Sequence, residues 1–357
     1  MVFDLKRVLR PDLENLAPYQ VQPVKNGLIR LDANENPFDF PLFLQEEIYR
    51  QLKSGSFTRY PDDLAGELRK ALARLTGVPE EGIIPGNGSD ELILNLCLAV
   101  GSGALVAIAT PTFSMYRVNS LVAGAVPVEA PRKKEAGFAL DLDRLSEIAA
   151  NEKTRLIFLC SPNNPTGNAV PVADTAALLE RSAALVAVDE AYIEFGGETC
   201  LPLLEKYENL VILRTFSKAF GLAGLRVGYL LGRPGVVKEL LRVKQPFNLS
   251  TFAQVAACTV LAHQEEFRKM AAAIRRARDL LAQELAALPG VEVYPSEANF
   301  ILFRTRRPAQ EVFHRLAQEG ILVRNLHGPG LEECLRVTVG REEENEIFLA
   351  KMKGICS

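Results

Sequence analysis

Five short apolar runs, at 105–109, 156–160, 185–188, 211–213 and 227–231, constrain this chain more than any other feature. Each is continuous rather than alternating, which means burial on both faces. Stretches of helical spacing separate several of them. The segment 64–76 carries one such pattern, and 89–100 opens as a helix on Ser89, Asp90 and Glu91. Buried strands alternating with helices predict an α/β fold whose sheet is mostly parallel, with helices on both sides. The pattern changes near Gln245–Pro246. A long helical stretch over 251–288 runs to a stop at Pro289–Gly290, followed by short apolar runs at 291–294, 298–304, 321–324 and 335–339 and a helix over 308–319. That reads as a smaller α+β domain. The first 28 residues hold three prolines and no clear period, as expected of an arm. The chain of 357 residues is thus expected to divide into an arm at 1–29 packing with the small domain, a large domain at 30–246 and a small C-terminal domain at 247–357.

Composition removes several function classes. Forty-one basic and 44 acidic side chains leave a net charge of −3, which disfavours an electrostatic nucleic-acid binder. The run Arg132-Lys133-Lys134 reads as a solvated loop. No apolar stretch reaches the roughly 18 residues of a membrane span, and the charged start shows no secretory pattern. Six cysteines form no C-x-x-C pair and sit mostly in apolar runs, as in a cytoplasmic protein with reduced thiols. His263, His314 and His327 have no metal-ligand spacing, so no metal site is expected. Nor does any of them suit a nucleophile–base pair.

Ligands of parallel α/β sheets bind outside the carboxyl ends of the strands. Those ends carry Thr110–Tyr116 (TPTFSMY), Ser161–Gly167 (SPNNPTG), Asp189-Glu190-Ala191-Tyr192 and Arg214–Gly228 (RTFSKAFGLAGLRVG). Each member has a plain reading. Lys218 could be a surface lysine, Asp189 a helix N-cap, Asn164 a turn former before Pro165, and GNGSDEL at 86–92 a turn and cap. Each also has a chemical one. Small, apolar neighbours around Lys218 would favour the neutral amine that a covalent carbonyl adduct requires. Asp189, ending a buried strand, could hold a protonated ring nitrogen. The glycine-rich turn could seat a phosphate at a helix N-terminus.

Together these motifs resemble the fold-type I pyridoxal-phosphate aminotransferases, over nearly the whole chain. The resemblance implies a large cofactor-binding domain plus the smaller one, and pyridoxal 5'-phosphate as cofactor. It implies that Lys218 is the covalent anchor and proton shuttle. Asp189 would pair with the ring nitrogen, Tyr192 and Asn164 would reach the ring oxygen, and Phe113 would stack on the ring. Ser217, Arg226 and the Gly88-Ser89-Asp90 backbone would hold the phosphate.

LDANENPF at 31–38, RYPD at 59–62, GNGSDELI, GILVRN and CLRVTVG resemble the histidinol-phosphate branch of that family. The likeness implies transamination between L-glutamate and imidazole acetol phosphate, yielding L-histidinol phosphate and 2-oxoglutarate. Arg324 and Arg336 would grip a phosphate or a carboxylate in turn. Tyr60 would reach a partner subunit's cofactor phosphate, making the active unit a homodimer, and Tyr19 and Asn36 would line the substrate side. A threonine-phosphate decarboxylase of the cobalamin pathway, a broad aromatic aminotransferase and a non-catalytic regulator on the same fold are the competing readings.

Overall fold

The computed structural model describes residues 3–10, 16, 27–53, 55 and 57–356. Tyr19 lies outside them. The strands, in chain order, begin with β1 (Ile29–Arg30). Seven follow: β2 (Ile83–Gly86), β3 (Leu105–Thr110), β4 (Val126–Pro131), β5 (Thr154–Cys160), β6 (Leu185–Asp189), β7 (Leu210–Thr215) and β8 (Gly228–Gly232). The last five are β9 (Val291–Val293), β10 (Phe300–Thr305), β11 (Ile321–Leu322), β12 (Arg324–Asn325) and β13 (Cys334–Thr338).

Among the described residues, β2 to β8 make one seven-stranded sheet in the order β2-β8-β7-β6-β5-β3-β4. The pairs β4–β3, β3–β5, β5–β6 and β6–β7 are parallel, and β8 runs antiparallel to both β7 and β2. The central strands are buried along almost their whole length, for example Leu156, Ile157, Phe158 and Leu159 of β5. One face packs under Leu92, Leu96 and Tyr116, the other under Leu68, Leu178 and Val260. This is the expected mostly parallel, helix-flanked sheet.

β2 and β4 were not anticipated. They are the two edges of the sheet, and each contains proline, β2 at Pro85 and β4 at Pro127 and Pro131. Proline cannot donate to a ladder and is tolerated at edges, so the residue that hides such a strand from a pattern search also places it.

The expected single helix over 251–288 is two, Thr251–Ala262 and Gln264–Ala286. His263 leaves helical geometry at φ −115°, ψ 29°, and its Nε2 lies 3.1 Å from Glu47 Oε2. Gln264, Glu265 and Glu266 then open a new helix, the two acids favouring its N-terminus. Ser250 caps the first helix by accepting from the Ala253 amide at 3.2 Å. Ala253, Ala256 and Val260 join the core of the large sheet, although they follow the composition change at residue 246.

β9, β10, β12 and β13 form an antiparallel sheet in the order β12-β13-β10-β9. It packs with the helices Ala309–Gln318 and Glu342–Cys356 through Ile301, Phe303, Val312, Leu316, Val337 and Phe348. β1 pairs in parallel with β11, and Leu31 enters this same core. Among the described residues no helix is long and apolar enough to cross a membrane.

Candidate active site

The register of the large sheet brings six strand ends to one edge. β3, β5, β6 and β7 end there at Thr110, Cys160, Asp189 and Thr215. Thr215 pairs with Gly228 at the start of β8, which pairs with Gly86 at the end of β2. Beyond these ends lies a cleft of about 610 Å³, within the usual range for small-molecule sites. Phe113, Asn164, Asp189, Tyr192, Ser217, Lys218, Arg226, Ser89 and Asp90 all line it, as do Arg324 and Arg336.

One end is built to hold an anion. The helix Gly88–Val100 starts just after β2, and Ser89 and Asp90 of its first turn, where amides have no partner within the helix, line the cleft. Arg226 adopts a left-handed backbone at φ 53° just before β8, which sends its side chain back over that helix start. Its Nη2 lies 2.6 Å from Asp90 Oδ2 and its Nη1 3.4 Å from Ser217 Oγ. Two glycines permit this closeness. A Cβ on Gly88, whose φ is +74°, would lie 2.6 Å from Arg226 Nη2, and one on Gly228 would lie 2.5 Å from the Ser89 amide nitrogen.

A carboxylate and an amine occupy the same cleft. Asp189 is 2% exposed, and burial pushes its carboxyl up to about 6. Two donors oppose that rise: the Tyr116 hydroxyl, donating to Oδ2 at 2.8 Å, and the Ala191 amide, donating to Oδ1 at 3.1 Å. Asp189 caps no helix: the next helical turn, Ile193–Phe195, has Tyr192 at its N-cap, and the Ala191 bond is a local turn contact. Lys218 follows β7 by three residues, and its Nζ donates to the Ala33 carbonyl at 3.2 Å. Burial, reinforced by the Arg336 charge, lowers this amine to about 8. It is thus poised to change protonation near neutral pH, as a general base should be.

The remaining polar groups come from both parts of the chain. Tyr192 Oη accepts from Asn34 Nδ2 at 2.9 Å, which leaves its own proton for the cleft. Arg336 donates from Nη1 to Asn164 Oδ1 at 2.5 Å and from Nη2 to the Asp32 carbonyl at 2.7 Å. Its guanidinium carbon sits 5.2 Å from the centre of the Phe300 ring. Arg324 on β12 pairs directly with Arg336 on β13, so the two side chains leave the same face of that sheet.

Some expected residues stand elsewhere. Asn36 does not line the cleft. It ties the LDANENPF segment to the lysine loop, Nδ2 donating to the Ala219 carbonyl at 3.0 Å and Oδ1 accepting from the Phe38 amide. Asn34, two residues earlier and left-handed at φ 54°, faces the site instead. Tyr60 is 80% exposed and stacks on Phe247 at 4.5 Å, outside this chain's cleft. Arg132 is not in a solvated loop: it is 6% exposed and donates to the carbonyls of Ala109, Phe138 and Cys160, bracing the ends of β3 and β5. Tyr116 and Asn34 sit inside motifs visible in the sequence, but their partners lie 73 and 158 residues away, so no local signal singled them out.

The sheet order, the cleft at its carboxyl edge and the lysine–aspartate–arginine set define an aminotransferase, and the chain belongs to the aminotransferase class I and II family, whose model matches residues 26–352. Over 347 residues it is 44% identical to histidinol-phosphate aminotransferase 1 of Carboxydothermus hydrogenoformans, covering 97% of this chain and 98% of that protein. Among solved structures it is similar to the histidinol-phosphate aminotransferase of Sinorhizobium meliloti in complex with pyridoxal-5'-phosphate, at TM-score 0.89 and 27% identity, covering 99% of this chain and 98% of the other. The L-threonine-O-3-phosphate decarboxylase of Porphyromonas gingivalis is also similar, at TM-score 0.79 and 25% identity over 92% of this chain and 99% of the other.

Pyridoxal 5'-phosphate is the cofactor of this fold, and the residues present fit it. The anion end has amide, hydroxyl and guanidinium donors and no room for a Cβ at Gly88. A buried carboxylate stands ready for a ring nitrogen, an amine of lowered basicity for the aldehyde, and Phe113 offers a flat apolar wall.

Proposed function

We propose that this chain transfers the amino group of L-glutamate to imidazole acetol phosphate, giving L-histidinol phosphate and 2-oxoglutarate, a step of histidine biosynthesis. The observation that carries this reading is the Arg324–Arg336 pair, two guanidinium groups directly opposed on neighbouring strands and both lining the cleft. A single pocket must take a phosphomonoester in one half-reaction and a dicarboxylate in the other. Two planar guanidinium forks suit both anions.

When bound, the cofactor supplies an electron sink conjugated to the substrate carbon. The protein supplies everything else. The Gly88–Asp90 amides, Ser217 and Arg226 would fix the phosphate end, and Phe113 would offer the ring an apolar wall. Asp189, 2% exposed, would keep the ring nitrogen protonated by presenting a negative charge away from solvent. Lys218 Nζ, once free of its covalent role, would accept the substrate Cα proton and return it two atoms along, to the cofactor carbon that takes up the amino group. Tyr192 Oη would donate to the ring oxygen, and Arg336 would hold the substrate anion while its bond to Asn164 keeps that side chain in place.

Two expected outcomes follow for this machinery. Gly88→Ala is expected to weaken cofactor affinity at least about tenfold, since the added methyl displaces Arg226 and strains a left-handed backbone. Equilibrium dialysis against pyridoxal phosphate reads this. Arg336→Ala is expected to reduce kcat/KM for both glutamate and histidinol phosphate by about a hundredfold, in line with the 2–5 kcal/mol cost of truncating a buried charge partner. Normal kinetics with glutamate would refute a pocket shared by both substrates.

The active unit in this proposal is a homodimer, with Tyr60 reaching the neighbour's phosphate end. Its support is the placement of Tyr60, 80% exposed and stacked on Phe247, itself 43% exposed. Residence in the cytoplasm belongs to the same proposal, supported by cysteines present as free thiols.

The reading is tested by offering histidinol phosphate, threonine phosphate, phenylalanine and aspartate separately to the cofactor-loaded protein. Histidinol phosphate is expected to bleach the visible absorbance most efficiently, without release of carbon dioxide. Preference for threonine phosphate with decarboxylation would overturn it in favour of the decarboxylase.

A further inference from the structure

We infer that Tyr116 is a positioning residue for the reaction: its hydroxyl holds Asp189 ionised and aims it at the cofactor's ring nitrogen. The inference rests on the function proposed above and adds a residue to it.

Tyr116 belongs to the helix Met115–Val122 and is fully buried. Its ring is fixed on two sides, stacked on Phe158 of β5 at 4.6 Å with planes 7° apart and set edge-on to Phe113 at 5.6 Å and 87°. That packing leaves the hydroxyl little choice of direction. It donates to Asp189 Oδ2 at 2.8 Å, while the Ala191 amide donates to Oδ1 at 3.1 Å. An ionised carboxylate offers about four acceptor positions. These two bonds use one on each oxygen and fix the rotation of the group, leaving positions free for the ring N–H.

The surroundings make such a donor necessary. Cys160 faces Asp189 from the end of β5, and Tyr192 and Glu190 flank it on the loop after β6. Asp90 acts on it from the helix Gly88–Val100. The two acids, Asp90 and Glu190, both add to burial in favouring the protonated, neutral form, which could not hold a cationic ring nitrogen. Tyr116 opposes them directly. Burial raises the phenol itself well above its ordinary value, so it remains a donor throughout the working pH range.

Phe113 of the same segment is expected to face the cofactor ring. Tyr116 lies three residues on, its amide donating to the Phe113 carbonyl at 3.3 Å in the turn that opens the helix Met115–Val122, while its hydroxyl reaches Asp189. One short stretch of chain thereby sets both the ring's wall and the charge state of its nitrogen partner.

Tyr116→Phe tests this, because it removes one oxygen and keeps both ring contacts. In the cofactor-free full-length chain, labelled with ¹³C at aspartate carboxyls, the Asp189 resonance is identified by its loss in Asp189→Asn. Its titration midpoint is expected to rise by about one pH unit in Tyr116→Phe, a tenfold gain in proton affinity typical of losing a hydrogen bond to a charged group. The pH midpoint of the visible absorbance of the loaded protein is expected to move with it. Phe158→Leu loosens the ring stack but keeps the hydroxyl, and is expected to leave the Asp189 midpoint within a few tenths of a pH unit. An unmoved midpoint in Tyr116→Phe overturns the proposal, as does an equal movement in Phe158→Leu, which would assign the effect to packing. A wild-type chain that fails to transaminate would sink the functional reading, whereas an active wild type with an unmoved Tyr116→Phe midpoint overturns this inference alone.

Discussion

Lys218→Ala is expected to lower turnover by about 10⁴-fold, the upper end of what a positioned proton-transfer group contributes. In the proposed reaction the amine has two duties at one atom: it anchors the cofactor and carries the substrate proton. Alanine removes both while leaving Ser217, Arg226, Asp189 and Phe113 in the cleft, so the cofactor should still bind, though without a covalent link. Small primary amines in solution should restore part of the rate, since they can replace the base but not its placement. The pH dependence has a definite sign. Burial and Arg336 lower the amine to about 8, so the reactive neutral form grows roughly tenfold per pH unit below that value and levels off above it. The rate at which the cofactor-free chain captures pyridoxal phosphate should follow that curve. Stopped-flow absorbance checks it, and a profile that only levels near the ordinary lysine value of about 10.4 would show that the cleft does not tune this group.

Asp189→Asn is the second large effect. Asparagine matches the shape but carries no charge, so nothing then favours a proton on the ring nitrogen in a site where water is excluded. Turnover is expected to fall by about 10²–10³-fold, comparable to the loss of one preorganised electrostatic contact. Cofactor affinity should fall far less, because the phosphate end and Lys218 remain. The split between the two readouts is informative: equal losses in affinity and turnover would reduce Asp189 to a structural peg. Tyr116 keeps its place in either case through Phe158 and Phe113.

Much of this fold was legible in the sequence because the central strands are continuous apolar runs and each ends in a loop of unlike chemistry. β5, β6 and β7 could be placed within a residue or two, and with them Asn164, Asp189 and Lys218. What stayed hidden had physical reasons. β2 and β4 combine proline with edge positions, where the usual pattern does not apply. The helix break at His263 falls where that side chain meets Glu47, 216 residues away, a contact no local pattern displays. Arg132 looks like one member of a basic run until three carbonyls from separate strands and turns enclose it. The choice between Asn34 and Asn36 turns on one left-handed residue in a motif where both asparagines look equally suited.

The pairing of Arg324 with Arg336 shows how the smaller sheet completes a site founded on the larger one. Both residues were visible as candidates, but their opposition across β12 and β13 is a matter of register. That register also ties the site to β1, since Arg336 donates to the Asp32 carbonyl just beyond it.

The most direct test of the whole account is chemical. The protein is loaded with pyridoxal phosphate, reduced with borohydride, digested, and its peptides weighed. The added mass is expected on Lys218 alone, within the segment that follows β7. Finding it on another lysine, or finding none despite full occupancy, would contradict the account.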